Sequence, residues 1–226
     1  MKITLVSYFY KPVNNVASQR WTALSEYLEK TGHELSVLSG PWSENTDKVS
    51  YLADPFSSDG QALKGEAVKT KSASSGLIPS FLLIDGKFLW AFNVVKKLIR
   101  SRKMKNHLVI VTGSPWSGVV ATSLICHFLK IKYAVDFRDM WANEPLLRLN
   151  TPLARKYFAW LEKFCVRHAT LIFTVNETIR KCLSEYNPIL PSLAITNGFS
   201  GQLTWNHEQF NETFNRKNQI LYAGSV

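Results

Sequence analysis

The chain has 226 residues, 46% hydrophobic and 19% charged, an ordinary globular composition long enough for one large domain or a domain and part of another. Its 27 Lys and Arg against 17 Asp and Glu leave a net charge of +10, which points to an anionic partner such as phosphorylated ligands, acidic lipid or nucleic acid. The three cysteines, Cys126, Cys165 and Cys182, are widely spaced with no CxxC, which argues against a disulfide framework and favours a reducing compartment; no run of about 18 apolar residues is present to span a membrane.

The opening "MKITLVSYFYKP" lacks a small-residue cleavage pattern and reads as a strand rather than a signal peptide. "ITLVSYF" (3–9) is β-branched and aromatic, and it ends in a Pro- and Asn-containing loop. Trp21, Leu24, Tyr27 and Leu28 then recur at helical spacing over 17–30, stopped by Thr31-Gly32, and "HELSVLSG" (33–40) is the next strand. One β-α-β unit within the first forty residues predicts a parallel sheet covered by helices. Residues 41–80, rich in Ser, Asp, Gly and Lys, hold no period and read as a long surface excursion.

Helical character returns over 81–103, where Leu82, Phe88, Leu89, Phe92, Val95 and Leu98 share a broad face. A strand at 107–113, a helix at 117–129 and a strand at 131–137 follow. Thr151-Pro152 predicts an N-cap and first turn for a helix to about His168. A strand at 170–175, a helix at 177–186 and a short strand at 193–196 complete a doubly wound, Rossmann-like α/β domain over residues 1–200. Beyond Gly201, a polar stretch (201–218) reads as a linker, and "ILYAGSV" as a fresh strand that begins a new unit.

In such a sheet ligands bind beyond the carboxyl ends of the strands. That directs attention to "DFRDMW" (136–141), where a buried strand ends in Asp136, Arg138 and Asp139. Extended geometry sends Asp136 and Arg138 one way and Phe137 and Asp139 the other. These charges either face a cleft or form an internal ion-pair network. "GSPWSG" (113–118) opens a helix directly after a strand, so Ser114, Ser117 and backbone amides either hold an anion or simply cap the helix. Val119-Val120 stand where a P-loop needs Lys-Ser/Thr, and the loop after the first strand has no glycine, which argues against nucleotide triphosphatase and dinucleotide chemistry. No GxSxG elbow is present, and Cys165 and His168 lack a second pair, so no metal site is expected. His33 and His127 read as structural or exposed.

The basic surplus concentrates at Lys96, Lys97, Arg100, Arg102, Lys103 and Lys105, beside Trp90. With Trp90 these cations either contact an anionic bilayer or form a solvated helix tip. No basic-aromatic interleaving supports nucleic-acid binding.

The ordered stretches "YFYKP", "LSEYLEKTGHELSVLSG", "IDGKFLWAFNVVKKL", "TGSPWSGVVAT", "VDFRDMW", "LEKFCVRHATLIFTVNETIRKCL" and "ITNGF" resemble the N-terminal domain of a family 4-like glycosyltransferase of the GT-B fold. Asp85 and Trp90 match that family's Asp-then-Trp helix, and "ILYAGSV" (219–226) resembles the first strand of its second, donor-binding domain. The chain then corresponds to the N-terminal half of a two-domain enzyme with the C-terminal half missing, inactive alone. The resemblance implies transfer of a sugar from a nucleotide sugar to a saccharide or lipid-linked acceptor in cell-envelope glycan synthesis. It implies no cofactor beyond that donor substrate, and a cytoplasmic protein peripheral at the inner membrane face. By resemblance, Ser114, Ser117, Asp136, Arg138, Asp139 and Asn197 line the acceptor side of the cleft. Asn14, Asn15 and Ser18 occupy the donor-phosphate loop, although Asn14-Asn15-Val16-Ala17 stands where many members carry Gly-Gly. A non-catalytic saccharide-, phosphate- or protein-binding module is the alternative.

Overall fold

The fold is seen in a computed structural model that describes residues 1–55, 85–101, 107–142 and 152–198. The expected linker (201–218) and strand (219–226) lie outside these residues, as do Thr151, Arg102, Lys103 and the excursion from 56 onward.

Seven strands form one parallel sheet: β1 (Lys2–Val6), β2 (Glu34–Ser39), β3 (Val49–Tyr51), β4 (His107–Thr112), β5 (Lys132–Phe137), β6 (Leu171–Thr174) and β7 (Ser192–Ala194). Their spatial order is β3-β2-β1-β4-β5-β6-β7, so the direction of travel reverses between β1 and β4. The helices are α1 (Val16–Lys30), α2 (Phe88–Ser101), α3 (Trp116–Phe128), α4 (Pro152–Arg167) and α5 (Glu177–Ser184). None of the described helices is long and apolar enough to cross a membrane. The doubly wound expectation is met, with one correction. Residues 49–51, inside the expected excursion, form β3 and pair with β2 through Val37 and Val49. Three residues are too few to declare a period.

Alternation along the buried strands divides the core. Val6, Val109, Val111, Tyr133, Val135 and Phe137 face α2 to α5 in one cluster. Ile3, Leu5, Ile110 and Ala134 face the other side, where Trp21 of α1 covers them. Right-handed crossovers in opposite directions from β1 require this split. Burial pushes the thiols of Cys126 and Cys165 up to about 12, which leaves no thiolate for covalent chemistry or ligation near neutral pH.

Aromatic packing closes part of the carboxyl edge. Tyr8, following β1, meets Trp42 and Trp90 edge-to-face with centroids 5.4 and 5.0 Å apart. Trp90 Nε1 donates to the Ser39 carbonyl at 2.9 Å, and the Tyr8 hydroxyl donates to Asp54 at 2.8 Å. Aromatic rings thus pack over the ends of β1 and β2.

Candidate functional site

The tip of β5 separates into three different environments. Asp136 points toward α1 and is wholly buried. It accepts from Arg20 Nε and Nη2 at 3.2 and 3.0 Å, from Trp21 Nε1 at 2.7 Å and from Thr112 Oγ1 at 3.2 Å. Arg20 also donates through Nη1 to the Ile195 carbonyl at 2.7 Å and reaches Asn197 Oδ1 at 3.4 Å. The Arg20–Asp136 pair therefore ties α1, β5 and the segment after β7 together. Where the sequence left a cleft carboxylate and an internal ion pair both open, Asp136 takes the second form. Its oxygens are filled by protein donors and face no solvent.

Arg138, just past the strand, is half-buried. Its Nε donates to the Gly113 carbonyl at 2.7 Å, and the Gly113 amide donates to the Asp136 carbonyl at 3.1 Å. These two bonds stitch the loop after β4 to the loop after β5. Among the described residues nothing takes the two Nη groups of Arg138. Burial lowers the affinity of this guanidinium for its proton while the nearby carboxylates of Asp136 and Asp139 raise it. An arginine stays charged under such a balance, so the site presents a partly desolvated cation whose two Nη groups meet no acceptor among the described residues. Asp139 and Ser114 are exposed beside it in sequence.

A second layer fixes this loop. Glu162 on α4 is fully buried, and its Oε2 accepts the amides of Trp141 and Ala142, both at 2.9 Å. Its Oε1 accepts from the Tyr186 hydroxyl at 3.0 Å. Trp141 stacks on Trp116 with centroids 5.2 Å apart and planes within 4°. Glu162 was missed from sequence, although it sits on the helix face shared by Phe158, Leu161 and Cys165. A carboxylate on such a face is the signal that could have found it. Arg20, on the same face of α1 as Leu24, was missed in the same way.

The expected anion site at the start of α3 is already filled. The Ser117 amide donates to Asp85 Oδ2 at 2.9 Å, and the N-cap position is Pro115, with no side-chain cap from Ser114 or Ser117. Ser117 is buried, and its hydroxyl has no partner among the described residues. Asp85 therefore supplies the negative charge that this helix end attracts. In the loop after β1, Asn15 caps α1 by accepting from the Ser18 amide at 2.8 Å, Asn14 accepts from Gln19, and Ser18 is buried. Asn197 is exposed at the rim of a groove of about 370 Å³ between α1 and residues 195–198.

Trp90 is 1% exposed and wedged over Gly118, so the expected membrane contact through its ring is corrected. Lys96 and Arg100 are exposed and Lys97 half-buried, while Arg102 and Lys103 lie outside the described residues. Among the described residues no group of three or more His, Cys, Asp or Glu is placed to hold a metal ion.

The glycosyl transferase 4-like domain family matches residues 17–192, which span α1 to the start of β7 and include each of the described contacts at the β5 tip except those to residues 195–197. No curated protein matches the chain with significant similarity.

Proposed function

From the premise that the chain belongs to the glycosyl transferase 4-like domain family, we propose that it forms the acceptor side of a retaining glycosyltransferase. The sugar passes from a nucleotide-sugar donor to a saccharide or lipid-linked acceptor of a cell-envelope glycan. The enzyme works in the cytoplasm at the inner membrane face, and a second domain holds most of the nucleotide.

One observation carries this reading: Arg138, held by the Gly113 carbonyl, is a half-buried cation at the carboxyl edge whose two Nη groups meet no acceptor among the described residues. A guanidinium so placed suits a phosphate or vicinal hydroxyls bidentately. Charge developing on a leaving or acceptor phosphate is stabilised more strongly there than in water. Asp139 and Ser114 provide an exposed acceptor and a hydroxyl for sugar hydroxyls, and Asn197 extends the rim.

Sugar transfer by the enzyme carrying its donor-binding half tests the reading. Arg138→Ala is expected to reduce transfer about 10²- to 10³-fold while the urea midpoint stays near that of the parent. Arg138→Lys, which keeps charge but loses the fork, is expected to recover part of it. Full transfer by Arg138→Ala would sink the assignment. The sealed Asp136 favours a second reading, a saccharide-binding module without turnover, because it removes one carboxylate from the cleft. Glycan binding without any transfer in the two-domain enzyme would select it.

A further inference from the structure

α2, α3 and α4 lie side by side on one face of the sheet and contribute their inner faces to the main core. Their outer faces are unusual in composition. On the outward side of α3, Ala121, Leu124 and Ile125 are half-buried against the core, while His127 and Phe128 are exposed, Phe128 to 73%. Phe92 of α2 is 55% exposed and Trp160 of α4 is 58% exposed. Single exposed hydrophobics need no explanation, but a layer of three helices whose outer faces repeat them does.

The charges on this layer are one-sided. Across α2, α3 and α4 the only carboxylate is Glu162, which is buried and holds the β5 loop. The exposed charges of these helices are Lys96, Arg100, Arg155, Lys156 and Arg167, with Lys130 following α3. Lys96 lies over the Phe92 ring, 4.5 Å from its centroid, so cation and aromatic share one spot. On α1 and residues 34–47, by contrast, exposed Glu26, Glu34, Glu44 and Asp47 mix with lysines.

We propose that the outer face of α2, α3 and α4 seats the protein on an anionic lipid bilayer. Aromatic and aliphatic side chains enter the headgroup boundary while long cationic side chains reach lipid phosphates, the pattern of interfacial helices. A second copy of this chain is a poor occupant, because a two-fold contact would set these cations against themselves without a carboxylate to answer. α3 and α4 run from the carboxyl edge to the amino edge of the sheet, since each joins parallel strands. A flat seating therefore holds the sheet parallel to the membrane surface, with the Arg138 edge opening sideways one helix layer above it. The proposal rests on the peripheral placement given above and is independent of transfer chemistry.

Cosedimentation of the full chain with phosphatidylcholine vesicles, with and without phosphatidylglycerol, reads it directly. Binding is expected only to the acidic vesicles and to fall with salt. Two combined variants follow, Phe92→Ser with Phe128→Ser and Trp160→Ser, and Lys96→Glu with Lys156→Glu. Both sets are at exposed positions, so circular dichroism should match the parent, and each is expected to weaken binding at least about tenfold. Brominated acyl chains should quench a fluorescence component that Trp160→Phe lacks. Acidic-vesicle binding unchanged by both sets would overturn the face and leave the peripheral reading standing. No binding to acidic vesicles would overturn both. A dimer abolished by the apolar set, without vesicle binding, would overturn the proposal in favour of self-association.

Discussion

Asp136 and Arg138 stand two positions apart and face opposite fates, because one ends inside the sheet and the other just beyond it. Asp136 accepts four hydrogen bonds from Arg20, Trp21 and Thr112, and the Arg20 side chain is only 3% exposed. A buried pair of this kind contributes little relative to apolar packing, but removing one partner strands the other. Asp136→Ala is therefore expected to cost about 3–5 kcal/mol in urea unfolding, with Asp136→Asn costing less because it keeps an acceptor. A loss under about 1 kcal/mol for the alanine variant would mean that Arg20 finds another partner. The sequence marked this tip as special and could not rank its members. Alternation along β5 predicted that Asp136 and Phe137 would point apart. Which of the charges would be sealed depended on α1, 116 residues away along the chain at Arg20.

The fit of α3 against α2 is decided by one missing Cβ. A methyl group at Gly118 would stand 2.4 Å from the Trp90 ring, which is pinned by its bond to the Ser39 carbonyl. Gly118→Ala is expected to destabilise the fold by about 1–3 kcal/mol, despite alanine's better helix propensity, because neither ring nor backbone can yield cheaply. A stabilised Gly118→Ala protein in thermal unfolding would refute this packing account. Gly118 was visible in sequence as part of "GSPWSG", which left an anion site and a plain helix cap both open. The structure gives both glycines a steric reason instead, since a Cβ at Gly113 would stand 2.5 Å from Trp116. Except for the three-residue β3, element existence was legible from period-2 and helical patterns; ends were not. The helix expected from 81 begins at Phe88 after a turn in which Asp85 accepts from the Lys87 amide, residues 81–84 lying outside the described residues.

At the scale of the whole molecule, His107, the one buried histidine among the described residues, links stability to pH. His107 opens β4, is 8% exposed, and its Nε2 lies 2.6 Å from the Thr4 hydroxyl. Burial, and then the charge of Lys2, holds its pKa below the usual 6.5. The unfolded chain therefore binds this proton more readily, so the contribution of His107 is complete above about pH 6.5 and declines as pH falls below it. Chemical denaturation of the parent should show a midpoint falling from pH 7 toward pH 5. His107→Gln should flatten that part of the profile, and an unchanged slope would exclude His107 as the source.

The sequence by itself determined the α/β class, the parallel alternation of elements and the family resemblance, because hydrophobic periods and short motifs belong to consecutive residues. It also placed the polar candidates at strand ends, where a parallel sheet exposes its edge. Only the tertiary structure decided that Asp136 is an anchor, that Asp85 fills the start of α3, that Trp90 is core, and that the Arg138 Nη groups meet no acceptor among the described residues. Each of those outcomes depends on which distant side chain arrives to desolvate or satisfy a group, and no local pattern records that meeting.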